Sequence, residues 1–375
     1  MAEEFGVVPS REGGTDLALP VTVPRRGPAP RRAVFYNPAM AFDRDVGVAL
    51  AHALRARQDS PLRGWEMLAA TGVRGLRMVN ESGLFASLLQ TEAHPEAFAV
   101  LHMNAEPFHD RGVTVREADA RELPAEAPFD YVDLDPYGTP VPFLASALHA
   151  LRPGGVLAVT ATDMMVLAGV QPKVCVVRYG AQPVRGRLGP EGGLRILMKH
   201  VAEAARARGR VLRPLLCYVH DHHVRAYVEI APKLPSSAPD PIAAIDAASW
   251  TGPALGSPGR LGPMWLGPLF DAELVRSMRA PEHAERSRET VGFLGRLREE
   301  VEVDRPFYYE CNELARALGL ARPPSFLAMQ EGLARAGARS ARTHARAGAF
   351  RTDAGRSVVE GVALRTDVPD PGSIG

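Results

Sequence analysis

The string Asp133-Leu134-Asp135-Pro136-Tyr137-Gly138 carries the most specific chemistry in the chain. An acid, a proline and an aromatic residue directly after an apolar run suit methyl transfer to an exocyclic amine of a nucleic-acid base. Such an amine is a poor nucleophile because its lone pair is delocalised into the ring. The Asp135 carboxylate, with a backbone carbonyl beside it, can accept hydrogen bonds from both N–H groups, localise the lone pair and later take the proton. Tyr137 can stack on the base and fix its rotation. In-line alignment with a methyl donor then acts mainly through proximity.

Further candidate groups sit where other apolar runs stop. Thr71-Gly72-Val73-Arg74-Gly75 is a tight glycine turn that lets backbone approach a ligand, although it is not the GxGxxG of dinucleotide sites. Glu92 closes a second run, where an acidic side chain can accept both hydroxyls of a ribose. Asp119 closes a third and is placed to accept from an adenine amino group, with the Ala120 amide able to donate to a ring nitrogen. Thr160-Ala161-Thr162-Asp163 follows a fifth run, where it either shapes the base pocket or caps the next helix. His220, His222 and His223 share one turn and read as hairpin residues, so no metal is expected.

The elements that must position these residues are short apolar runs alternating with helix-like stretches from about 33 to 232, the mark of a mostly parallel α/β sheet. Strands are expected at 65–70, 85–90, 113–116, 129–134 and 155–160, each ending at one of the strings above. Leu194, Leu197, Val201 and Ala205 mark one face of a helix. Runs at 211–219 and 224–230 then flank the histidines as an antiparallel hairpin. Five β-α units and a terminal hairpin predict a class I, Rossmann-like methyltransferase fold, with ligands beyond the carboxyl ends of the strands. The same outline and the missing GxGxxG count against a nicotinamide oxidoreductase.

Residues 1–32, rich in Gly, Pro and Arg, read as a flexible tail, 33–232 as the methyltransferase domain and 233–375 as a smaller α+β C-terminal domain. Within the last, helical patterns at 311–318 and 325–336 flank a turn with two prolines, like a winged helix or helix-turn-helix. Arg339, Arg342, His344, Arg346 and Arg351 would supply a basic flank for phosphates. The 375 residues, 46% hydrophobic and 23% charged, suit a globular protein with a sizeable core. A net charge of +1 does not by itself argue for nucleic acid, but it is compatible with basic residues gathered on one face. Cys175, Cys217 and Cys311 form no CxxC pair, so neither a zinc ribbon nor a disulfide framework is expected. No signal peptide and no membrane span is apparent, which places the protein in the cytoplasm.

Taken together these strings resemble the tRNA guanine-26 N2-dimethyltransferases. The resemblance runs from Val34-Phe35-Tyr36-Asn37-Pro38 and Arg44-Asp45 through Ala70 to Arg77, Asp133 to Pro140, Thr160 to Asp163, Gly193 to Leu197 and His223-Val224-Arg225. It continues at Gly262 to Gly267, Thr343-His344 and Arg351 to Ala354, so that it covers roughly 33–355. It implies S-adenosyl-L-methionine as methyl donor, tRNA as partner and conversion of one guanine to N2,N2-dimethylguanine. By position it makes Asp135 the catalytic acceptor and Tyr137 the stacking residue. It makes Arg44, Arg74, Glu92, Asp119 and Ala120 the cofactor contacts and gives the tRNA to the C-terminal domain. Three departures stand out: Tyr137 where the family commonly has Phe, Thr91-Glu92 where it usually has Asn-Asp, and no cysteine at 233–264 where many members have a zinc site. The residue chemistry alone leaves open another exocyclic amine, such as adenine N6, or a non-catalytic tRNA-binding protein on the same scaffold.

Overall fold

The computed structural model describes residues 6–20, 34–122, 124–232 and 239–366. Its centre is a seven-stranded sheet of β3 (Leu62–Glu66), β4 (Phe85–Glu92), β5 (Val113–Glu117), β6 (Phe129–Leu134), β7 (Leu151–Ala161), β8 (Arg210–His220) and β9 (His223–Pro232). Their spatial order is β5-β4-β3-β6-β7-β9-β8, and β9 alone runs against its neighbours. The central strands are buried on both faces, so they read as largely apolar runs; Val132, Leu134, Leu157 and Val159 have no exposed surface. Helices α1 (Ala41–Ala56), α2 (Val73–Ser82), α3 (Pro95–Ala105), α4 (Leu144–Ala150), α5 (Met164–Leu167), α6 (Pro172–Tyr179) and α7 (Gly189–Arg206) join and cover these strands. The predicted stripe of Leu194, Leu197, Val201 and Ala205 is the buried side of α7.

The register across the middle of the sheet decides which side chains meet. Glu66 lies opposite Asp133, Asp133 opposite Ala158, and Ala158 opposite Tyr227. Paired residues point to the same face and alternate along each strand, so Glu66, Asp133 and Tyr227 share one side.

Two expectations fail here. The first strand stops at Glu66 rather than running to Ala70. Gly72 N–H closes a turn onto Ala69 O (2.7 Å) and Ala70 adopts φ +49°, so the apolar residues 67–70 are bent into a loop at the strand end. The second failure is the flexible tail. Within 1–32, β1 (Val7–Glu12) and β2 (Thr15–Pro20) form an antiparallel hairpin; the residues at 1–5 and 21–33 lie outside the described ones. Glu12 holds this hairpin down. It is buried and accepts from Arg44 Nε (2.6 Å), Arg77 Nη1 (3.0 Å) and Tyr36 Oη (2.7 Å), contacts 24 to 65 residues away that its own neighbourhood gives no hint of.

Beyond the sheet, β10 (Ile242–Asp246) pairs with β11 (Arg260–Trp265), followed by α8 (Ala272–Ser277) and α9 (Ser287–Glu300). Ile245, Leu261, Trp265, Leu274, Phe293 and Leu297 all join the main core, so packing does not divide the chain at 232. A separate small core begins at Tyr309, where Tyr309, Leu314, Met329, Leu333, Phe350 and Val359 pack together. It is built from β12 (Tyr309–Glu310), α10 (Cys311–Leu318), α11 (Phe326–Arg335), β13 (Ser340–Arg342), β14 (Ala349–Thr352) and α12 (Arg356–Thr366), the strands lying in the order β12-β14-β13. Ser325 caps α11 by accepting from Ala328 N–H (3.1 Å), and Gly319 ends α10 in the left-handed conformation.

Candidate functional site

Asp135 is the first residue past β6, and a quarter of its side chain is exposed. Arg74, in the first turn of α2, donates from Nη2 to Asp135 Oδ2 at 2.5 Å. Behind them Arg225 reaches from β9 to Asp133 Oδ2 (2.6 Å) and Thr160 Oγ1 (2.5 Å). Burial alone would raise the Asp135 carboxyl; the adjacent Arg74 and Arg225 charges and the Thr160 hydroxyl outweigh it and hold the group below the usual carboxylate range. Asp135 is therefore ionised at neutral pH and can accept hydrogen bonds. Tyr137, two residues on and 65% exposed, presents its ring at the surface beside it. The loop is fastened to the next strand end, since Gly138 N–H donates to Thr162 Oγ1 (2.7 Å) and Gly138 O accepts from Thr162 N–H (2.9 Å).

The other end of the site is the glycine turn. Gly72 sits at φ +76°, and a Cβ there would meet Leu101 at 2.6 Å, so this position requires glycine. Glu92 Oε2 accepts from Ala70 N–H (2.9 Å) and Oε1 from His94 N–H (2.9 Å). The half-buried carboxylate thus braces the left-handed Ala70 as well as facing the strand ends. Asp119 is paired with Arg121 and accepts from its backbone N–H (2.8 Å), contacts that hold the carboxyl down to about 2. Ala120, next to it, is buried. Arg44 is bound to Glu12 and lies 5.2 Å from the Tyr36 ring. It shares a helical face with Gly47, whose added Cβ would stand 3.2 Å from Tyr227 Oη and 3.9 Å from Arg74 Nη1. Fold and register thus gather Arg74, Asp135 and the Glu92 and Asp119 strand ends on one edge of the sheet, with Arg44 one helical turn away.

A profile of the N2,N2-dimethylguanosine tRNA methyltransferase family matches residues 21–238 and 254–363. The chain belongs to that family. It is 35% identical over 357 residues to the tRNA (guanine(26)-N(2))-dimethyltransferase of Thermococcus kodakarensis, covering 87% of this chain and 92% of that protein. It is 29% identical to the tRNA (guanine(26)-N(2)/guanine(27)-N(2))-dimethyltransferase of Aquifex aeolicus, covering 79% and 82%. Its fold is similar to that of Trm1 from Pyrococcus horikoshii, solved in complex with S-adenosyl-L-methionine, with a TM-score of 0.81 at 26% identity over 95% and 99% of the two chains. The class I methyltransferase architecture read from the strand pattern is the one observed. Among the described residues no helix is long and apolar enough to cross a membrane.

Several site residues escaped the reading of the sequence. Glu66, at the end of β3, accepts from Gln90 Nε2 (2.6 Å) and Gly75 N–H (3.1 Å). Burial, together with the Asp133 carboxylate, pushes Glu66 up to about 8. Arg225 and Asp133 are likewise buried, and the signal that could have found them is charge inside otherwise apolar strands. The histidines also behave differently from plain hairpin residues. His223 Nε2 lies 2.6 Å from Asp43 Oδ1, which also accepts from Tyr218 Oη (2.9 Å), while His220 stacks on Phe42. These partners come from α1, some 180 residues earlier.

The basic flank is corrected more sharply. Arg351 and His344 are fully buried and cannot reach phosphate in this structure. Arg351 donates to Glu300 (2.5 Å) and Glu191 (3.0 Å), and His344 Nδ1 lies 2.7 Å from Glu300. They lock the C-terminal unit to α7 and α9. Arg339, Arg342 and Arg346 stay at the surface, facing Asp353, Glu299 and Glu310 respectively.

Proposed function

We propose that the protein transfers methyl groups from S-adenosyl-L-methionine to the exocyclic N2 of a guanine in tRNA, at position 26, and does so twice to give N2,N2-dimethylguanosine. The observation that carries this reading is the ionised Asp135 carboxylate, fixed by Arg74 beside an exposed Tyr137 at the carboxyl edge of the sheet. The family and the names of the relatives from Thermococcus and Aquifex support the target.

The residues present fit the cofactor. Arg74 Nη1 is buried without a hydrogen-bond partner and suits an anionic group such as a methionine carboxylate. Asp119 and the Ala120 amide would read an adenine edge, and Glu92 would accept from a ribose. Arg44, whose Nε and Nη2 are bound to Glu12, would join the set from α1. When bound, S-adenosyl-L-methionine supplies a methyl group activated by its sulfonium. The chain does the rest: Tyr137 stacks on the base, and Asp135 accepts from the N2 amine, localises its lone pair and takes its proton as the methyl group is transferred.

Guanine N2 lies in the minor groove and cannot be aligned while the base is stacked, so the nucleotide is turned outward, at a cost of a few kcal/mol. The exposure of Tyr137 supports this, because a base swung out of the helix meets the ring directly. Recognition of the rest of the tRNA is by shape and phosphates. The C-terminal unit, with its helix pair and three-stranded sheet, has the layout of a winged helix, and Arg322 and Arg335 are exposed at the ends of that pair. The protein works in the cytoplasm, where unmodified tRNA is found.

The test is methyl transfer from labelled cofactor to unmodified tRNA transcripts, read by nucleoside mass spectrometry. Dimethylguanosine is expected, and changing guanine 26 to adenine removes it. Label retained on that altered transcript would refute position 26, and methyladenosine would refute guanine.

A further inference from the structure

Asp135 is held by more than Arg74. The register of β6 against β7 pairs Leu134 with Val159, so the next residue on each strand sets Asp135 beside Thr160. Across the next ladder β9 pairs Thr160 with Arg225. Asp135, Thr160 and Arg225 therefore form one row on one face of the sheet.

Hydrogen bonds along this row have a fixed direction. A guanidinium can only donate. Arg225 Nη1 gives its proton to Thr160 Oγ1 at 2.5 Å, so the Thr160 oxygen is the acceptor in that contact. The single hydroxyl proton of Thr160 is left for its other neighbour in the row, the Asp135 carboxylate, beside which the register of β6 and β7 sets it. Arg225 cannot swing away, since its Nη2 is bound to Asp133 Oδ2 at 2.6 Å. Thr160 and Arg225 have no exposed surface, so bulk water is not there to replace either group. A carboxylate rotates easily about its last torsion. Here Arg74 holds one side and Thr160 the other.

We infer that Thr160 and Arg225 are positioning residues for methyl transfer: Arg225 orients the Thr160 hydroxyl, and that hydroxyl fixes the rotation of the Asp135 carboxylate so that its remaining lone pairs face the amine. This rests on the reading of Asp135 as the amine acceptor. Neither residue touches the base or the methyl group in this account. Their effect on rate comes through the aim and charge of Asp135, and small misplacements of a reacting group are costly. Donors to the carboxylate also favour its ionised form.

The experiment measures single-turnover transfer to tRNA from pH 5 to 9 for the full-length wild type, Thr160→Val, Thr160→Ser, Arg225→Lys and Asp135→Asn, with cofactor affinity measured in parallel. Thr160→Val keeps the side-chain shape and is expected to slow transfer about 10- to 100-fold. Cofactor affinity should stay within about twofold, because neither Thr160 nor Arg225 is among the proposed cofactor contacts. Its acid limb should move to higher pH, because Asp135 loses a donor. Thr160→Ser should restore both rate and limb, which a purely structural role for the methyl-bearing side chain would not predict. Arg225→Lys should shift the limb in the same direction, since a lysine amine cannot bridge Asp133 and Thr160 as a fork does. An acid limb left in place by Thr160→Val overturns the inference, as does a serine variant no better than the valine one. If Thr160→Val does not fold, an unmoved limb in Arg225→Lys overturns it equally. Retained transfer in Asp135→Asn would instead bring down the reading of Asp135 itself, and the positioning inference with it. A dead Asp135→Asn beside a normal Thr160→Val removes only the positioning role.

Discussion

Replacing Arg351 with methionine tests whether its charge belongs to the fold or to the RNA interface. The guanidinium has no exposed surface and donates to Glu300 (2.5 Å), Glu191 (3.0 Å) and the carbonyls of Arg305 (2.6 Å) and Phe307 (3.0 Å). Removing one partner of a buried ion pair costs about 3–5 kcal/mol, chiefly because the remaining charge is stranded. Here Glu191 keeps Arg195 and the Phe307 amide, and Glu300 keeps His344 and Thr343, which favours the low end. The two carbonyls that lose a donor add about 1 kcal/mol each, which brings the expected loss to about 4–5 kcal/mol. Urea unfolding followed by tryptophan fluorescence reads this directly, because Trp250 packs against Phe307 near the junction (6.2 Å between rings). The salt slope of tRNA binding should not change, whereas loss of one phosphate contact lowers it by about 0.7–0.9. A stability loss under about 1 kcal/mol combined with a flatter salt slope would refute the reasoning and return Arg351 to the RNA surface.

Three more outcomes are expected. Asp135→Asn should slow transfer by about 10²–10⁴-fold, the usual range for removing a general base, with cofactor affinity unchanged or tighter because Arg74 loses its carboxylate partner; an active variant would exclude Asp135 as acceptor. Glu66, raised to about 8, binds its proton more tightly in the folded state than in the unfolded one, so the protein should lose stability as pH rises from about 4.5 to 8. Glu66→Gln removes that loss, worth about 3 kcal/mol by pH 7, and equal pH slopes for the two proteins in chemical denaturation would contradict a neutral Glu66. Glu12 has the opposite sign: burial opposes its ionisation, but Arg44, Arg77 and Tyr36 hold it down to about 2. Its stabilisation is present above about pH 4.5 and fades as pH falls towards 2, so Glu12→Gln should cost about 3–5 kcal/mol at pH 7 and much less near pH 2. A pH-independent gap would argue against the ion pair.

The sheet was legible because its strands are buried on both sides, and a fully buried strand announces itself as an apolar run. Phe129–Leu134 appears with the bounds that pattern predicts, as does Cys311–Leu318 from its helical one. The run at Trp65 misled because apolar residues bent into a loop at a strand end look like apolar residues in a strand. Glu12 was invisible for a different reason: its partners are Arg44 and Arg77, and no local spacing records a contact of that range. The same holds for Arg351 and His344, whose residue types suggest phosphate until Glu300 and Glu191 are found beside them. At the site, Asp135 and Glu92 declare themselves by standing at strand ends. Arg225 and Thr160 act through register, which appears only when β7 and β9 are laid side by side.

The N-terminal hairpin has a consequence for how the chain is made. Gly13 N–H donates to Glu285 at 2.8 Å, and the amides of Glu285 and Arg286 bind Asp45, which in turn receives Arg77. β1 and β2 therefore close onto a segment synthesised 272 residues later. At ordinary elongation rates that is a wait of roughly 15–55 s. Throughout that interval Glu12, Arg44 and Arg77 can already meet, but the outer wall that covers them does not yet exist. The nascent protein would thus carry a half-closed charged seam until α9 emerges, and an early stop before Glu285 would leave a sheet that is complete with its hairpin held by Glu12 but lacking the Gly13–Glu285 contact.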